Sequence, residues 1–357
     1  MLERWHFDRP LFYALVILSV TGLAIVYSAG GDNLNMTIRD SVHLILGFSV
    51  MIGLAQVRPT TIARWSPYLF VVGFLMLIAV LGAGTVSNGA RRWLGFGPLR
   101  FQPSEIMKLA LPMMLAWYLS RGPLPIKLPQ LLVSGAVILL PALMIIKEPD
   151  LGTAFLIAAT GFLVLFLAGM GWRTIIVMAA STAAAIPVLW AHMHQYQRQR
   201  VYVLFHPESD PLGSGYHTIQ GMIAVGSGGL LGKGWLHSTQ AHLDFLPQSS
   251  TDFIFAVFSE EFGWLGVLAL ITLYLFILYR GALIAYRAQD TYSRLLAGGL
   301  TLVFFLYFFV NMSMVAGLLP VVGVPLPLIS YGGTSVITLM AAFGMLMSIH
   351  SHRSIAA

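Results

Sequence analysis

Three carboxylates stand at the entrance to an apolar segment in a chain with few charges. The stretch from Leu246 to Glu261 reads LPQSSTDFIFAVFSEE. If Ser250 or Thr251 caps a helix here, Asp252 lies in its first turn, where an acid complements the helix dipole by about 0.3–1 kcal/mol. That placement predicts a lowered pKa. A weak carboxylate base is still sufficient for general base catalysis when the leaving group of the reaction is already good.

The other two acids of this stretch do not share a face with Asp252. At 3.6 residues per turn, Glu260 lies about 80° around the helix from Asp252, and Glu261 lies roughly opposite. Neither glutamate can pair with Asp252, and we expect both to make structural contacts to neighbouring helices.

A second charged pair lies in FQPSEIMKLA. Glu105 and Lys108 are spaced i, i+3 on one helix face, just after the helix-start signal of Pro103 and Ser104. Ionisable groups within a membrane span are costly and are usually functional. Lys108 in an outer cavity would bind phosphate as a point charge; the alternative is a structural ion pair between helices.

Two loop motifs carry further charge. In KEPDLG, Asp150 follows Pro149 and precedes Gly152, so turn or cap chemistry explains it as well as a functional site does. In YQRQRV, Arg198 and Arg200 offer guanidinium groups suited to pyrophosphate, although they could equally snorkel to lipid headgroups.

One glycine-rich segment imitates a nucleotide site. GSGGLLGKGW at 226–235 lacks the spacing of a P-loop and the Ser or Thr after its Lys, which excludes that function. His237 and His242 are five residues apart in a loop and make a poor metal site by themselves. The metal ligands, if any, stay unassigned by the sequence.

Composition identifies the class of protein that must position these groups. Of the 357 residues, 57% are hydrophobic and only 10% are charged, against about 25% charged in soluble proteins. The absence of cysteine excludes disulfides, thiolate metal sites and thiol nucleophiles. The net charge of +6 is compatible with binding to anionic lipid headgroups or to an anionic substrate. The Lys and Arg residues are scattered over short loops, which argues against binding to nucleic acid.

We predict an all-α, polytopic integral membrane protein that forms a single domain over 1–357. A spanning helix needs about 20 apolar residues, and the sequence contains about ten such segments. They lie at 10–29, 39–57, 66–84, 103–120, 130–147, 151–169, 172–192, 252–279, 294–319 and 332–350.

An even number of spans puts both termini on one side. Lys and Arg are more numerous in the loops of that side, which predicts cytoplasmic termini. The acids gather at the opposite, outer face. The long loop 193–251 between the seventh and eighth helices also lies there, and it is too rich in aromatic and branched residues to be disordered. Its middle, 216–225, predicts a short interfacial helix.

The C-terminal run NMSMVAGLLPVVGVPLPLISYGGTS at 311–335 closely resembles the signature of the SEDS family (shape, elongation, division and sporulation), whose members include RodA and FtsW. The stretches GARRWLGFGPLRFQPSEIMKLA, EPDLGTA, YQRQRVYVLFHPESDPLGSGY and TQAHLDFLPQSSTDFIFAVFSEE occur in the order typical of that family. The wording of DPLGSGYHTIQ and TDFIFAVFSEEFG is more similar to the RodA branch than to the FtsW branch.

The resemblance implies a peptidoglycan glycosyltransferase of the bacterial inner membrane, which polymerises lipid II into glycan strands at the periplasmic side during cell-wall elongation. It implies a class B penicillin-binding protein, a transpeptidase, as partner. The essential aspartate of the family matches Asp252, and the residues matching its cavity and its QRQR segment are Glu105, Lys108, Asp150, Arg198 and Arg200. The chain departs from the family between LP and TDF, where many relatives have an acid and a histidine. Here the three residues at this place are Gln248, Ser249 and Ser250.

This chemistry leads to a specific hypothesis. Asp252 accepts the proton of the acceptor's GlcNAc 4-hydroxyl as that oxygen attacks the donor anomeric carbon with inversion, and undecaprenyl pyrophosphate leaves. Lys108, Arg198 or Arg200 neutralises the departing pyrophosphate, together with a divalent cation such as Mg or Mn, and Glu105 orients Lys108. The alternative is a lipid II flippase or transporter, because ten interrupted helices with intramembrane charges also describe that class. A scaffold for the elongation machinery is a third reading.

Overall fold

A computed structural model of the chain describes residues 7–31, 33–87, 90–96, 99–193, 195–206, 208, 214–243, 245–246 and 248–352. The helices are α1 (Arg9–Ala29), α2 (Leu34–Ala55), α3 (Pro59–Ala83), α4 (Pro103–Leu119), α5 (Leu128–Lys147), α6 (Leu151–Leu167), α7 (Trp172–His192), α8 (Gln195–Phe205), α9 (Ser214–Ser227), α10 (Thr239–His242), α11 (Ile254–Tyr286), α12 (Thr291–Val315) and α13 (Gly333–Ser351). The strands are β1 (Thr85–Ser87), β2 (Ala90–Phe96) and β3 (Leu99–Phe101).

The predicted all-α membrane fold is confirmed. The ten predicted spans correspond to α1–α7 and α11–α13. Within the described residues, seven of these helices are long and apolar enough to cross a membrane, and α6 and the first part of α7 are shorter apolar helices. The remaining helix, α4, has 17 residues and carries the charges of Glu105 and Lys108.

The helix starts follow local chemistry. The carboxylate of Asp8 accepts from Leu11 N at 3.0 Å at the start of α1, and that of Asp290 accepts from Ser293 N at 2.9 Å at the start of α12. Each bond satisfies a backbone donor that has no partner in the first helical turn. These side chains therefore determine where the spans begin on the side of the chain termini.

The spans differ in how much of their surface faces other helices. In the most apolar stretch of α12, 78% of the residues are buried, whereas in that of α3 only 22% are buried. The central helix is therefore α12, and α3 presents most of its apolar surface outward, as a helix at the lipid boundary does.

Two local structures were not expected. The strands form a three-stranded antiparallel sheet of order β1-β2-β3 between α3 and α4. Within the long loop, α9 confirms the helix predicted at 216–225, and α8 and α10 are additional.

The eighth predicted span is not a continuous helix. Gly263 inside α11 has φ 61° and ψ −164°, which interrupts the helix. The interruption leaves backbone groups without intrahelical partners, and the glycine-rich segment 226–235 supplies the partners. Four backbone bonds of 2.9–3.1 Å join the two: Lys233 N to Glu260 O, Gly234 N to Glu261 O, Trp264 N to Gly229 O, and Leu265 N to Leu230 O.

This docking requires glycine on both sides. A Cβ on Gly232 would lie 2.1 Å from Glu261 O, and a Cβ on Gly263 would lie 2.3 Å from Gly232 N. The glycines of 226–235 therefore allow close contact between two backbones, and this contact explains a motif that superficially resembles a phosphate-binding loop.

Glu260 and Glu261 reinforce the same junction, which confirms the prediction that they are structural. The fully buried Glu260 carboxylate accepts from Lys233 Nζ at 2.6 Å and from Ser238 Oγ at 2.6 Å. Glu261 accepts from Ser28 Oγ on α1. The two acids thus tie the start of α11 to the long loop and to α1.

Candidate active site

A cavity of about 750 Å³ lies among the helix ends opposite the chain termini. Four of the predicted site residues line it, namely Glu105, Lys108, Asp150 and Asp252. The structure therefore brings together groups that are as much as 147 positions apart in the sequence, since α4, the turn before α6 and the turn before α11 all end at this cavity.

Asp252 does not lie where the sequence predicted. The N-cap of α11 is Phe253, so Asp252 precedes the helix instead of occupying its first turn. The predicted lowering of its pKa is wrong as well: burial, and secondly the charge of Asp150, raise the pKa of Asp252 to about 6. The physical reason is that removal from water outweighs any benefit from the helix dipole at this position.

The backbone of the signature segment borders this carboxylate. A Cβ on Gly323 would lie 3.4 Å from Asp252 Oδ2. Val324, Pro325 and the 331–335 stretch line the same cavity. Part of the signature at 311–335 therefore forms one wall of the site.

Asp150 is held by an arginine that no sequence motif indicated. Arg92 on β2 lies with Nη1 3.6 Å from Asp150 Oδ2, and its Nη2 donates to Pro149 O at 2.7 Å. Asp150 also caps α6, accepting from Thr153 N at 3.1 Å. Asp150 thus combines the cap and cavity positions that the sequence left open. The signal that could have indicated Arg92 is its place in the GARRW stretch, which is typical of the family.

Glu148 is a second acid at this turn, and it is 1% exposed. Burial, and then the charge of Asp150, raise the pKa of Glu148 to about 8. The turn that carries Asp150 therefore excludes water from one acid and turns the other toward the cavity.

Lys108 is enclosed between an acid and a ring. Its Nζ lies 2.5 Å from Glu105 Oε1 and 4.6 Å from the centroid of the Tyr307 ring on α12. Lys108 is 9% exposed, Glu105 5% and Tyr307 4%, so the ammonium has a defined position. The prediction that Glu105 orients Lys108 fits this geometry, and Tyr307 is a further residue that no local motif indicated.

Arg198 of the QRQR segment does not join this group. On α8, Arg198 donates from Nη2 to Ala191 O at 2.8 Å and lies 6.0 Å from the Trp190 ring centroid. None of the described residues that line the cavity comes from α8. The side chain of Arg200 lies outside the described residues, so both arginines stay predictions.

A divalent cation would have few protein ligands here. In the described part of the chain, no three His, Asp or Glu side chains converge as a metal site. Asp150 and Asp252 face the same cavity, and Mg²⁺ is commonly held by one or two carboxylates together with substrate phosphates. The donor set therefore fits a cation that a diphosphate brings with it, and it does not fit a resident metal centre.

The arrangement supports acid–base chemistry on an anionic, polar substrate. A carboxylate with a pKa of about 6 is ionised at neutral pH and still basic enough to accept a proton. Lys108 and Arg92 line the same cavity and offer cationic groups for developing negative charge.

Comparison with known proteins gives one consistent result. A family model described as "Cell cycle protein", covering FtsW, RodA and SpoVE, matches residues 8–355. The chain is 49% identical to the peptidoglycan glycosyltransferase MrdB of Escherichia coli K12, over 98% of this chain and 95% of that protein. It is 35% identical to a probable peptidoglycan glycosyltransferase FtsW of Idiomarina loihiensis, over 97% of this chain and 88% of that protein.

Two solved structures share the fold. A chain from a peptidoglycan synthase complex that coordinates polymerisation and crosslinking superposes with a TM-score of 0.86, at 31% identity, over 98% of this chain and 99% of that one. The rod shape determining protein RodA of Thermus thermophilus superposes with a TM-score of 0.74, at 27% identity, over 97% of this chain and 98% of that one.

Proposed function

Because the chain belongs to the family of cell cycle proteins that comprises FtsW, RodA and SpoVE, we propose that its cavity is where glycan strands are polymerised. The protein is a multi-pass membrane enzyme, a peptidoglycan glycosyltransferase of the kind to which its relatives belong. The substrate is lipid II, and the growing strand serves cell-wall elongation. The observation that carries the assignment of the site is the single cavity that Asp252, Asp150, Glu105 and Lys108 line.

Asp252 is the general base of the reaction. It accepts the proton of the acceptor's GlcNAc 4-hydroxyl while that oxygen forms a bond to the donor anomeric carbon. The bond from that carbon to the diphosphate oxygen breaks, its electron pair leaves with undecaprenyl pyrophosphate, and the carbon inverts. A pKa of about 6 supports this role, because the carboxylate is ionised at neutral pH before the reaction begins.

Lys108 binds the diphosphate as a point charge and Glu105 orients it. Arg92 is the second cation that faces the cavity, and it replaces Arg198 as the guanidinium best placed for this work. Mg or Mn bound to the diphosphate would supply further charge neutralisation at the leaving group. Arg198 remains a candidate for contacts with parts of the substrate outside the cavity, and Arg200 remains a candidate for binding pyrophosphate.

The proposal includes an orientation in the cell. The cavity lies at the helix ends opposite the chain termini, so cytoplasmic termini place it on the periplasmic side of the bacterial inner membrane. The structural relative from a peptidoglycan synthase complex supports a crosslinking partner, for which a class B penicillin-binding protein has the required transpeptidase chemistry.

Purified protein in detergent, supplied with lipid II, tests the function. We expect glycan polymer on a gel from the wild-type protein and at least a 100-fold lower initial rate from Asp252→Asn, since a positioned general base contributes about 10²–10⁴-fold. Asp290→Asn is the matched control, because Asp290 caps α12 at the opposite end of the bundle and Asn also caps well.

The possible outcomes separate the functional classes. A flippase or scaffold makes no polymer from lipid II in detergent, where no sealed bilayer exists. Polymer formation by Asp252→Asn at the wild-type rate, with Asp290→Asn unchanged, would remove Asp252 from the mechanism while leaving the enzyme class intact.

A further inference from the structure

The turn that carries Asp252 is held by its backbone. Three consecutive carbonyls, those of Ser250, Thr251 and Asp252, each accept a hydrogen bond from the 311–331 part of the signature. The donors are Tyr331 N to Ser250 O at 2.9 Å, Ser330 Oγ to Thr251 O at 2.6 Å, and Asn311 Nδ2 to Asp252 O at 2.8 Å. Two of these three donors are side-chain groups, which a single substitution can remove.

Asn311 joins both sides of the turn. It is fully buried on α12, and its Nδ2 donates to Val324 O at 2.6 Å as well as to Asp252 O. Both hydrogens of the amide nitrogen are therefore used. Val324 follows Gly323, whose Cβ position lies 3.4 Å from Asp252 Oδ2, so Asn311 fixes Asp252 relative to the wall that its carboxylate faces.

Ser330 makes the second link and acts as donor and acceptor at once. Its hydroxyl donates to Thr251 O and accepts from Leu326 N at 2.7 Å, and the residue is 3% exposed. Of the small side chains, only a hydroxyl both donates and accepts at this distance. Thr retains both functions and Ala removes both.

The backbone on both sides of these bonds is strained. Gln248 has φ 58° and Leu328 has φ 60°, although neither is glycine. Such conformations persist only where surrounding contacts determine them, and they cluster at functional sites. Both strained residues lie within four positions of the bonded carbonyls or their donors, so the hydrogen bonds have a conformation to hold in place.

We propose that Asn311 and Ser330 are positioning residues that aim the Asp252 carboxylate at the reacting hydroxyl. The inference rests on the proposed role of Asp252 as general base. Because Asp252 precedes α11 and Phe253 provides no side-chain cap, the helix alone does not define the direction of its side chain. The carbonyl bonds at 250–252 provide that definition, and a general base works only within hydrogen-bond reach of its proton.

Ser330→Ala, Ser330→Thr and Asn311→Leu test the proposal in the lipid II polymerisation assay. We expect Ser330→Ala to lower kcat at least about tenfold with KM within about twofold, because the base Asp252 is misaligned in the transition state while substrate binding is retained. The midpoint of the acid limb of kcat against pH should also move by about half a pH unit or more, since the surroundings of Asp252 change. Ser330→Thr should restore most of kcat and the wild-type midpoint.

Ser348→Ala is the matched control. Ser348 is also buried, on α13, and its hydroxyl donates to the carbonyl of Val57, which is far away in the sequence. This bond lies away from the cavity. All rates are divided by the concentration of monodisperse, folded protein, measured by size-exclusion chromatography and thermal unfolding. Ser330→Ala carries the test if Asn311→Leu does not fold.

The result that overturns the proposal is a Ser330→Ala enzyme with wild-type kcat and pH profile per folded molecule, or one that resembles Ser348→Ala in every readout. Asp252→Asn distinguishes a failure of the proposed base from a failure of the proposed positioning residues. If Asp252→Asn polymerises normally, the proposed base is wrong. If Asp252→Asn is inactive while Ser330→Ala and Asn311→Leu are normal, only the positioning role is wrong.

Discussion

Acidification from pH 8 to pH 5 should slow polymerisation about tenfold through the protonation of one carboxylate. With a pKa of about 6, Asp252 is about 99% ionised at pH 8 and about 10% ionised at pH 5. A carboxylate with the ordinary pKa of 3.8 would still be about 94% ionised at pH 5. Because only the ionised form accepts a proton, kcat should fall about tenfold by pH 5, where an unperturbed aspartate would cause almost no loss.

The cause of the raised pKa supplies a second perturbation. Burial contributes most and the charge of Asp150 contributes next. Asp150→Asn removes that charge and retains the cap of α6, since Asn is a good N-cap residue. It also leaves Arg92 without its acidic partner. Both changes favour ionised Asp252, so the acid limb should move to lower pH, by less than the full shift because burial remains.

The assay is the initial rate at saturating lipid II in detergent between pH 4.5 and 8.5, per folded molecule. Samples returned from pH 5 to pH 7.5 must regain the full rate, which separates titration from denaturation. A kcat that stays constant from pH 7 to pH 5 would refute the assignment of Asp252 as a buried base. Movement of the limb to higher pH in Asp150→Asn would refute the electrostatic argument.

Three further predictions concern stability. Burial raises the pKa of Asp252 in the folded state, so this group destabilises the fold increasingly as the pH rises from 3.8 to about 6 and fully above that value. Asp252→Asn should therefore increase the free energy of unfolding at pH 7.5 by at most about 3 kcal/mol. The thermal unfolding midpoint should rise accordingly at pH 7.5 and show no gain at pH 3.5. Glu260→Ala should cost about 3–5 kcal/mol because it removes a fully buried carboxylate that accepts from Lys233, Ser238 and Thr239 together, and Lys233→Met should cost less because the carboxylate keeps its bonds from Ser238 and Thr239, which chemical unfolding in detergent will measure. Gly263→Ala should release the outer loop to limited proteolysis, whereas Gly226→Ala, whose Cβ meets nothing within 4 Å, should remain protected.

The sequence could predict the spans because apolar length is a local property. It did not predict the interruption of α11, since a glycine within an apolar run is tolerated in spanning helices and Gly263 carries no other signal. Only the neighbouring backbone of 226–235 shows why the helix must break there. The small sheet was missed because its strands are short and lie in a glycine-rich stretch between two long helices.

The candidate site likewise contains features that the sequence could predict and features that it could not. The spacing of Glu105 and Lys108 on one helix turn was sufficient to predict their pairing, because both groups belong to one element. The surroundings of Asp252 depend on residues far along the chain, so the direction of its pKa shift could not be derived from helix position alone. Arg92 carries no local signal of a partnership, because only the fold brings it to Asp150.

The interruption at Gly263 bears on how the protein is made. Residues 264–286 alone would be about 34 Å long at 1.5 Å per residue, which already matches a hydrocarbon layer of about 30 Å. The preceding piece, 254–262, is therefore surplus to crossing the bilayer. The carbonyls of Glu260 and Glu261 in that piece, and the amides of Trp264 and Leu265 beyond the interruption, need partners from segment 226–235, which leaves the ribosome first. These four groups can therefore be covered only after α11 itself has been made, and a chain in which segment 226–235 is misplaced relative to α11 should remain immature at this junction.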